Sequence, residues 1–139
     1  MEITYTGTIA VEQYNALRTA VGWDALHPDL ARNGLAHTAF LVVAVCDGAP
    51  VGMARVITDY GYYVFISEVI IKPEFQGNGI GRAIMERVMA YINENIAPGQ
   101  AKFVNLMAAM GKEGFYRKFG FTARPNDTHG PGMSQWIGK

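Results

Sequence analysis

Apolar residues recur along this chain at two periods, and the changes between them divide it into elements. From Ile80 onward, Ile80, Ile84 and Val88 with Met85, Met89 and Ile92 fall three and four apart. Arg82, Glu86, Arg87, Asn93 and Glu94 fall mainly on the other face, so the segment to about Asn95 reads as an amphipathic helix. Val11, Tyr14, Leu17 and Val21 repeat the pattern near the start, and Pro28, a good first helical residue, opens a second short helix to about His37. Strand-type runs occupy Ala39 to Cys46, Pro50 to Thr58 and Tyr62 to Ile71, broken at Asp47-Gly48 and Asp59-Tyr60-Gly61, both of which are hairpin chemistry. Ile3 and Tyr5 mark an opening strand. Phe103 to Met107 reads as a strand and about Lys112 to Lys118 as a helix closed by Gly120, while Phe121 to Arg124 and Met133 to Ile137 are expected to pair as the last two strands. The result is an α/β (α+β) fold: one domain over residues 1–139, with a mixed, largely antiparallel sheet.

Composition narrows the function. With 139 residues, half of them apolar, the chain can bury a core, and twelve basic against twelve acidic residues leave no electrostatic footprint for nucleic acid or an anionic membrane. No apolar run approaches the roughly 20 residues needed to cross a bilayer and no signal-peptide pattern opens the chain, so a cytoplasmic protein is expected. Cys46 is the single cysteine, which excludes an intrachain disulfide. His27, His37 and His129 are too scattered to suggest a metal set, so no metal is expected. The methionines follow helix and strand faces and read as core filling.

The chemistry concentrates between the strand Val64 to Ile71 and the helix that follows Pro73. There Gln76-Gly77-Asn78-Gly79-Ile80-Gly81-Arg82 places three glycines at alternate positions, where the backbone can bend tightly and approach a ligand. A turn that opens a helix also presents unpaired N–H groups and the positive end of the helix dipole, which favours phosphate. Gly81 is followed by Arg82 and Ala83 rather than by Lys and Ser or Thr, so this is not a Walker A loop. Nor does any third glycine fall where a dinucleotide fingerprint requires one.

What remains, Gln-x-x-Gly-x-Gly, resembles the signature loop of the GNAT superfamily of N-acetyltransferases. Gly114-Phe115-Tyr116-Arg117-Lys118-Phe119-Gly120-Phe121 is similar to that superfamily's late helix-to-strand segment, and the two motifs with the preceding strand cover most of Val42 to Phe121. The resemblance implies a GNAT-like sheet flanked by about four helices and opened between its fourth and fifth strands. It implies acetyl-CoA as co-substrate, with Gln76, Gly77, Asn78, Gly79, Ile80, Gly81 and Arg82 on its pyrophosphate. Backbone groups of Val69, Ile70 and Ile71 would lie along the pantetheine arm, one of their N–H groups serving the oxyanion. One departure stands out: many members carry asparagine seven residues before the motif tyrosine, and here that position is Ala109.

Acetyl transfer to an amine needs a route for the amine's proton and an acid for the departing thiolate. Tyr116, matching the motif tyrosine, is the expected acid, since a phenol and an alkyl thiol hold protons with broadly similar strength; an amphipathic core tyrosine is the plainer alternative. Glu68, inside an apolar strand and in alternation with Val64, Ile66 and Ile70, is the candidate base on the expectation that burial raises its proton affinity. Its alternatives are a solvated carboxylate or a partner for Arg55. Trp23, Tyr60, Tyr62 and Tyr63 could line an apolar acceptor pocket, serve as edge packing or form a dimer surface. The expected activity is an N-acetyltransferase acting by direct attack in a ternary complex, on a small-molecule or peptide amine. The alternative is a non-catalytic acyl-CoA-binding or sensing module. A homodimer is compatible with the chain by base rate.

Overall fold

The computed structural model of the chain describes residues 1–138. The chain forms two compact units, Met1–Leu106 and the remainder from Met107, and each is described by itself.

The first unit carries the sheet. Its elements in order are β1 (Thr4–Thr6), α1 (Val11–Ala20), α2 (Pro28–Ala36), β2 (Phe40–Cys46), β3 (Ala49–Thr58), β4 (Tyr63–Ile71), a 3₁₀ turn at Pro73–Phe75, α3 (Ile80–Glu94) and β5 (Phe103–Leu106). The strands lie in sequence order, antiparallel from β1 to β4, and β5 then joins β4 in parallel. That parallel step needs a crossover, which α3 supplies.

Each face of the sheet has its own helical cover. Tyr14 and Leu17 of α1 and Ala31 of α2 pack with Val43, Met53 and Ile70 in one buried cluster. On the other face Ile80, Ile84, Met85, Val88 and Ile92, the predicted stripe of α3, are all buried. Packing is tight at Gly52 of β3: a Cβ there would lie 2.8 Å from Ile71 Cδ1 and 2.9 Å from the Ile70 carbonyl, with Ile84 Cδ1 of α3 at 3.3 Å. Rings fasten the rim, with Phe40 stacked on Tyr91 at 4.6 Å and the Arg87 guanidinium 3.7 Å from the centre of Tyr5.

Two irregularities in β4 matter for the site. Ser67 opposes Arg55 and Ile70 opposes Met53, so three steps along β4 match two along β3, the signature of a β-bulge. Glu68 sits in that bulge at φ 58°. The pairing with β5 ends at Ile66 opposite Leu106, while β4 runs on to Ile71. Ser67 to Ile71 therefore have no strand partner on that side among the described residues, where the expected opening between the fourth and fifth strands falls.

The second unit holds α4 (Glu113–Arg117), closed as expected at Gly120, which takes φ 90° and donates from its N–H to the Arg117 carbonyl. The two final strands expected at Phe121 to Arg124 and Met133 to Ile137 do not form. Pro125 and Pro131 cannot donate to a ladder, and the segment is folded into local turns: the Asn126 N–H donates to the His129 carbonyl, and Arg124 Nε donates to the Gly130 carbonyl at 2.6 Å. Among the described residues no helix is long and apolar enough to cross a membrane.

Candidate active site

The glycine loop opens α3 as its sequence implies. Gly77 and Gly79 take φ 79° and 78°, and beside each the space a Cβ would occupy is open. Gly79 is the residue before the helix, and no side chain among the described residues caps the first turn. Since Ala83 makes the first return bond, to the Gly79 carbonyl at 3.0 Å, the N–H groups of Ile80, Gly81 and Arg82 are the helix's orphan donors. With the dipole of a 15-residue helix behind them, these donors have the geometry that suits an anion.

Two loop side chains shape the cradle instead of facing a ligand. Gln76 Nε2 donates to the Ile71 carbonyl at 3.0 Å, tying the loop to the end of β4. Asn78 Nδ2 donates to the Phe75 and Gln76 carbonyls at 3.1 and 3.2 Å. Arg82, exposed, pairs with Glu86 one turn on at 2.8 Å. Of the loop expected on the pyrophosphate, Gln76 and Asn78 thus have their side-chain amides on backbone carbonyls and Arg82 has its guanidinium on Glu86.

Glu68 departs from its expected environment in two ways. The bulge moves it off the face of Val64 and Ile66. Val64 lines a cleft with Tyr91 and Ile92 of α3, and Ile66 opposes Val56 of the same cleft. The Glu68 carboxylate instead points to α1, where it accepts from the Tyr14 phenol, from Arg18 Nη1 at 2.7 Å and from Arg55 Nε at 2.5 Å. All three charged side chains are largely sequestered, with exposures of 12% for Arg18, 13% for Arg55 and 7% for Glu68.

The proton affinity of Glu68 moves opposite to the expectation. Burial pushes it up, but the hydrogen bonds from Tyr14, Arg55 and Arg18 outweigh burial and leave the carboxyl below its ordinary value. Tyr14, reciprocally, is pushed up to about 12, first by burial and then by its bond to Glu68. The sequence reading named Arg55 as a partner but missed Tyr14 and Arg18. Their signal was a phenol and a guanidinium four residues apart on the buried stripe of α1, a face where polar groups need partners.

In the second unit Tyr116 is buried, at 8% exposure, with its ring edge-on to Phe115 at 5.0 Å and Phe121 at 6.3 Å. Burial raises its phenol above the ordinary value, so it is protonated at neutral pH, the form an acid must start from.

The other conspicuous residues separate. Trp23 lies under the Arg18 guanidinium at 5.4 Å, Tyr62 and Tyr63 cluster with Phe103, and Tyr60 borders the cleft containing Tyr91 and Lys102. The four aromatics thus have three local settings. His27 caps α2 by accepting from the Asp29 N–H, and the described residues hold no group of three side chains fit to bind a metal ion. Asn105 Nδ2 is turned onto the Phe103 carbonyl at 3.2 Å.

Comparison with known proteins gives a consistent picture. The family described as acetyltransferase (GNAT) domain matches residues 37–123, more than half of the chain. The "uncharacterized N-acetyltransferase ycf52" of Porphyra purpurea is 26% identical over 92% of this chain and 74% of its own. Serotonin N-acetyltransferase 2, chloroplastic, of Oryza sativa is 30% identical over 84% of this chain and 58% of its own. Among solved structures, SA2161 of meticillin-resistant Staphylococcus aureus, described as a "probable acetyltransferase" of unknown function, superposes with a TM-score of 0.85. It is 30% identical and the match covers 96% of this chain and all of that one.

Proposed function

This chain belongs to the GNAT acetyltransferase family, and from that premise we propose that it carries the acetyl group of acetyl-CoA to a primary amine by direct attack in a ternary complex. The observation that carries this reading is the pairing of two elements: an uncapped helix N-terminus behind two left-handed glycines, and the partnerless edge of β4 to which Gln76 ties it. The first suits a pyrophosphate, and the second offers a line of backbone donors and acceptors to an extended amide-bearing arm.

In this reading the N–H groups of Ile80, Gly81 and Arg82 hold the pyrophosphate, with Gly77 and Gly79 giving the backbone close approach. Val69, Ile70 and Ile71 run beside the pantetheine arm, and one of their N–H groups meets the oxyanion. The amine nitrogen bonds to the acyl carbon, the carbon–sulfur bond breaks, and Tyr116 returns a proton to the departing sulfur. Glu68, ionised and gripped by three donors, is a poor base, so the amine's proton leaves to water. The residues form one acetyltransferase domain working without a metal, and the acceptor is a small-molecule or peptide amine in the cytoplasm.

Thermal unfolding with CoA, acetyl-CoA, ATP and NAD in parallel tests the cradle, because a ligand bound only to the folded chain raises the midpoint. Selective stabilisation by the two CoA species is expected. Stabilisation by ATP or NAD instead would replace the reading with a nucleotide site. A CoA response without turnover across an amine panel would favour a binding or sensing module.

A further inference from the structure

Glu68 is held in a backbone conformation that residues with a side chain adopt at a cost, in mid-strand, where no turn calls for it. Such a conformation persists only when its surroundings over-determine it. Here they do so through the carboxylate, which accepts from Tyr14 and Arg18 on α1 and from Arg55 on β3.

Each arginine is anchored in turn. Arg18 Nε donates to the Asp24 carbonyl at 2.9 Å. Arg55 Nη1 donates to the Gly34 carbonyl at 3.3 Å and the Thr38 hydroxyl at 3.1 Å. One carboxylate is thereby fixed to α1, to the loop after it, to the end of α2 and to β3. Stability alone explains such a cluster poorly, since a sequestered ion network is often no more stabilising than apolar side chains filling the same space.

Location explains it better. The bulge comprises Glu68 and Val69 and leads into Ile70 and Ile71, on the stretch of β4 that has no strand partner toward β5 among the described residues. An extra residue in a strand re-aims the backbone groups and side chains that follow, and a slip of one position reverses them.

We propose that Tyr14, Arg18 and Arg55 are positioning residues: by gripping Glu68 they fix the β4 bulge and so set the direction in which Val69, Ile70 and Ile71 present their backbone to the acyl-CoA. The inference rests on the reading that this edge takes the coenzyme.

The test uses the whole chain with CoA as the probe and needs no acceptor. Calorimetry gives the CoA affinity of wild type, Tyr14→Phe and Arg55→Lys, and ¹H–¹⁵N spectra of the ligand-free proteins follow the amides of residues 69–71 against those of β2. Tyr14→Phe is expected to displace the amide signals of 69–71, leave most β2 signals in place, and weaken CoA binding roughly tenfold, the worth of one hydrogen bond to a charged group. Arg55→Lys, which keeps the charge but loses the fork, is expected to act in the same direction and stands in if Tyr14→Phe does not fold.

A lowered melting temperature with unmoved amides and unchanged CoA affinity in both variants would make the cluster merely structural and overturn the proposal. So would a Glu68→Gln protein with wild-type amides and CoA affinity. Failure of the wild type to bind CoA removes the coenzyme reading first and this inference with it, a result separable from the others because it precedes any variant.

Discussion

The Tyr14 phenol donates its hydrogen to the Glu68 carboxylate across 54 positions of sequence, joining the first helix to the bulge of the fourth strand. The bond needs the phenol protonated, and that gives it a pH signature. Tyr14 is raised from 10.0 to about 12 in the folded protein, by burial first and by Glu68 second. Below pH 10 the phenol is protonated in both folded and unfolded chains and its contribution is complete; between about 10 and 12 the unfolded chain loses the proton first, so stability falls. The loss should be on the order of 2 kcal/mol at the upper end. Urea midpoints compared between pH 9 and 12 should fall more steeply for wild type than for Tyr14→Phe. Parallel curves would show that Tyr14 titrates as an ordinary tyrosine.

Glu68 has the opposite dependence. Its carboxyl lies below the ordinary 4.5 because the hydrogen bonds of Tyr14, Arg55 and Arg18 overcome burial. The folded chain therefore releases this proton more readily than the unfolded one. The contribution is complete above about 4.5 and is lost as pH falls through the folded value beneath it. Removing the carboxylate altogether leaves two sequestered guanidinium groups facing each other. Glu68→Ala should cost about 3 to 5 kcal/mol in chemical denaturation at pH 7. A cost under about 1 kcal/mol would mean that water replaces the carboxylate without penalty.

These contacts also mark where the sequence stopped being legible. The helices of the first unit followed from the period of their apolar stripes, its strands from apolar runs bounded by turn residues, and the glycine loop from residue types that few other turns need. The bulge did not. It adds one residue to a strand whose residues are apolar on both sides, so nothing in Val64 to Ile71 reveals the change of face, and Glu68 read as continuing the row of Val64 and Ile66. Its partners lie 13, 50 and 54 positions away, beyond the reach of local pattern. At the other end, Phe121 to Arg124 and Met133 to Ile137 had strand-like composition, but short turns took up the backbone around Phe121 to Gly130, and Pro125 and Pro131 have no N–H to give a ladder.

The cradle can be tested at Gly79. It takes φ 78° with open space around it, so Gly79→Ala introduces no clash and its cost is conformational. That cost should be about 1 to 2 kcal/mol. The melting temperature without ligand should drop by several degrees, and the increase produced by CoA should shrink as well, because the strained turn re-aims the first-turn donors. An unaltered CoA-induced shift in the variant would separate the glycine's backbone role from ligand binding.

Tyr116→Phe isolates the proposed acid. The ring is buried against Phe115 and Phe121, and phenylalanine keeps that packing, so the fold should be little affected. The phenol, held above its ordinary value by burial, is a reservoir of one proton at neutral pH. If that proton goes to the leaving sulfur, its loss should lower kcat by about 10²-fold, the low end for a positioned general acid, while the affinity for acetyl-CoA stays near wild type. The comparison is informative only with an amine that the wild type acetylates, and a thiol-release assay then reads the step directly. Restoring part of the rate with an acyl donor whose thiol is more acidic would strengthen the assignment, since such a leaving group needs less help from an acid. Equal kcat in both proteins would make Tyr116 a packing residue and pass the proton donation to water.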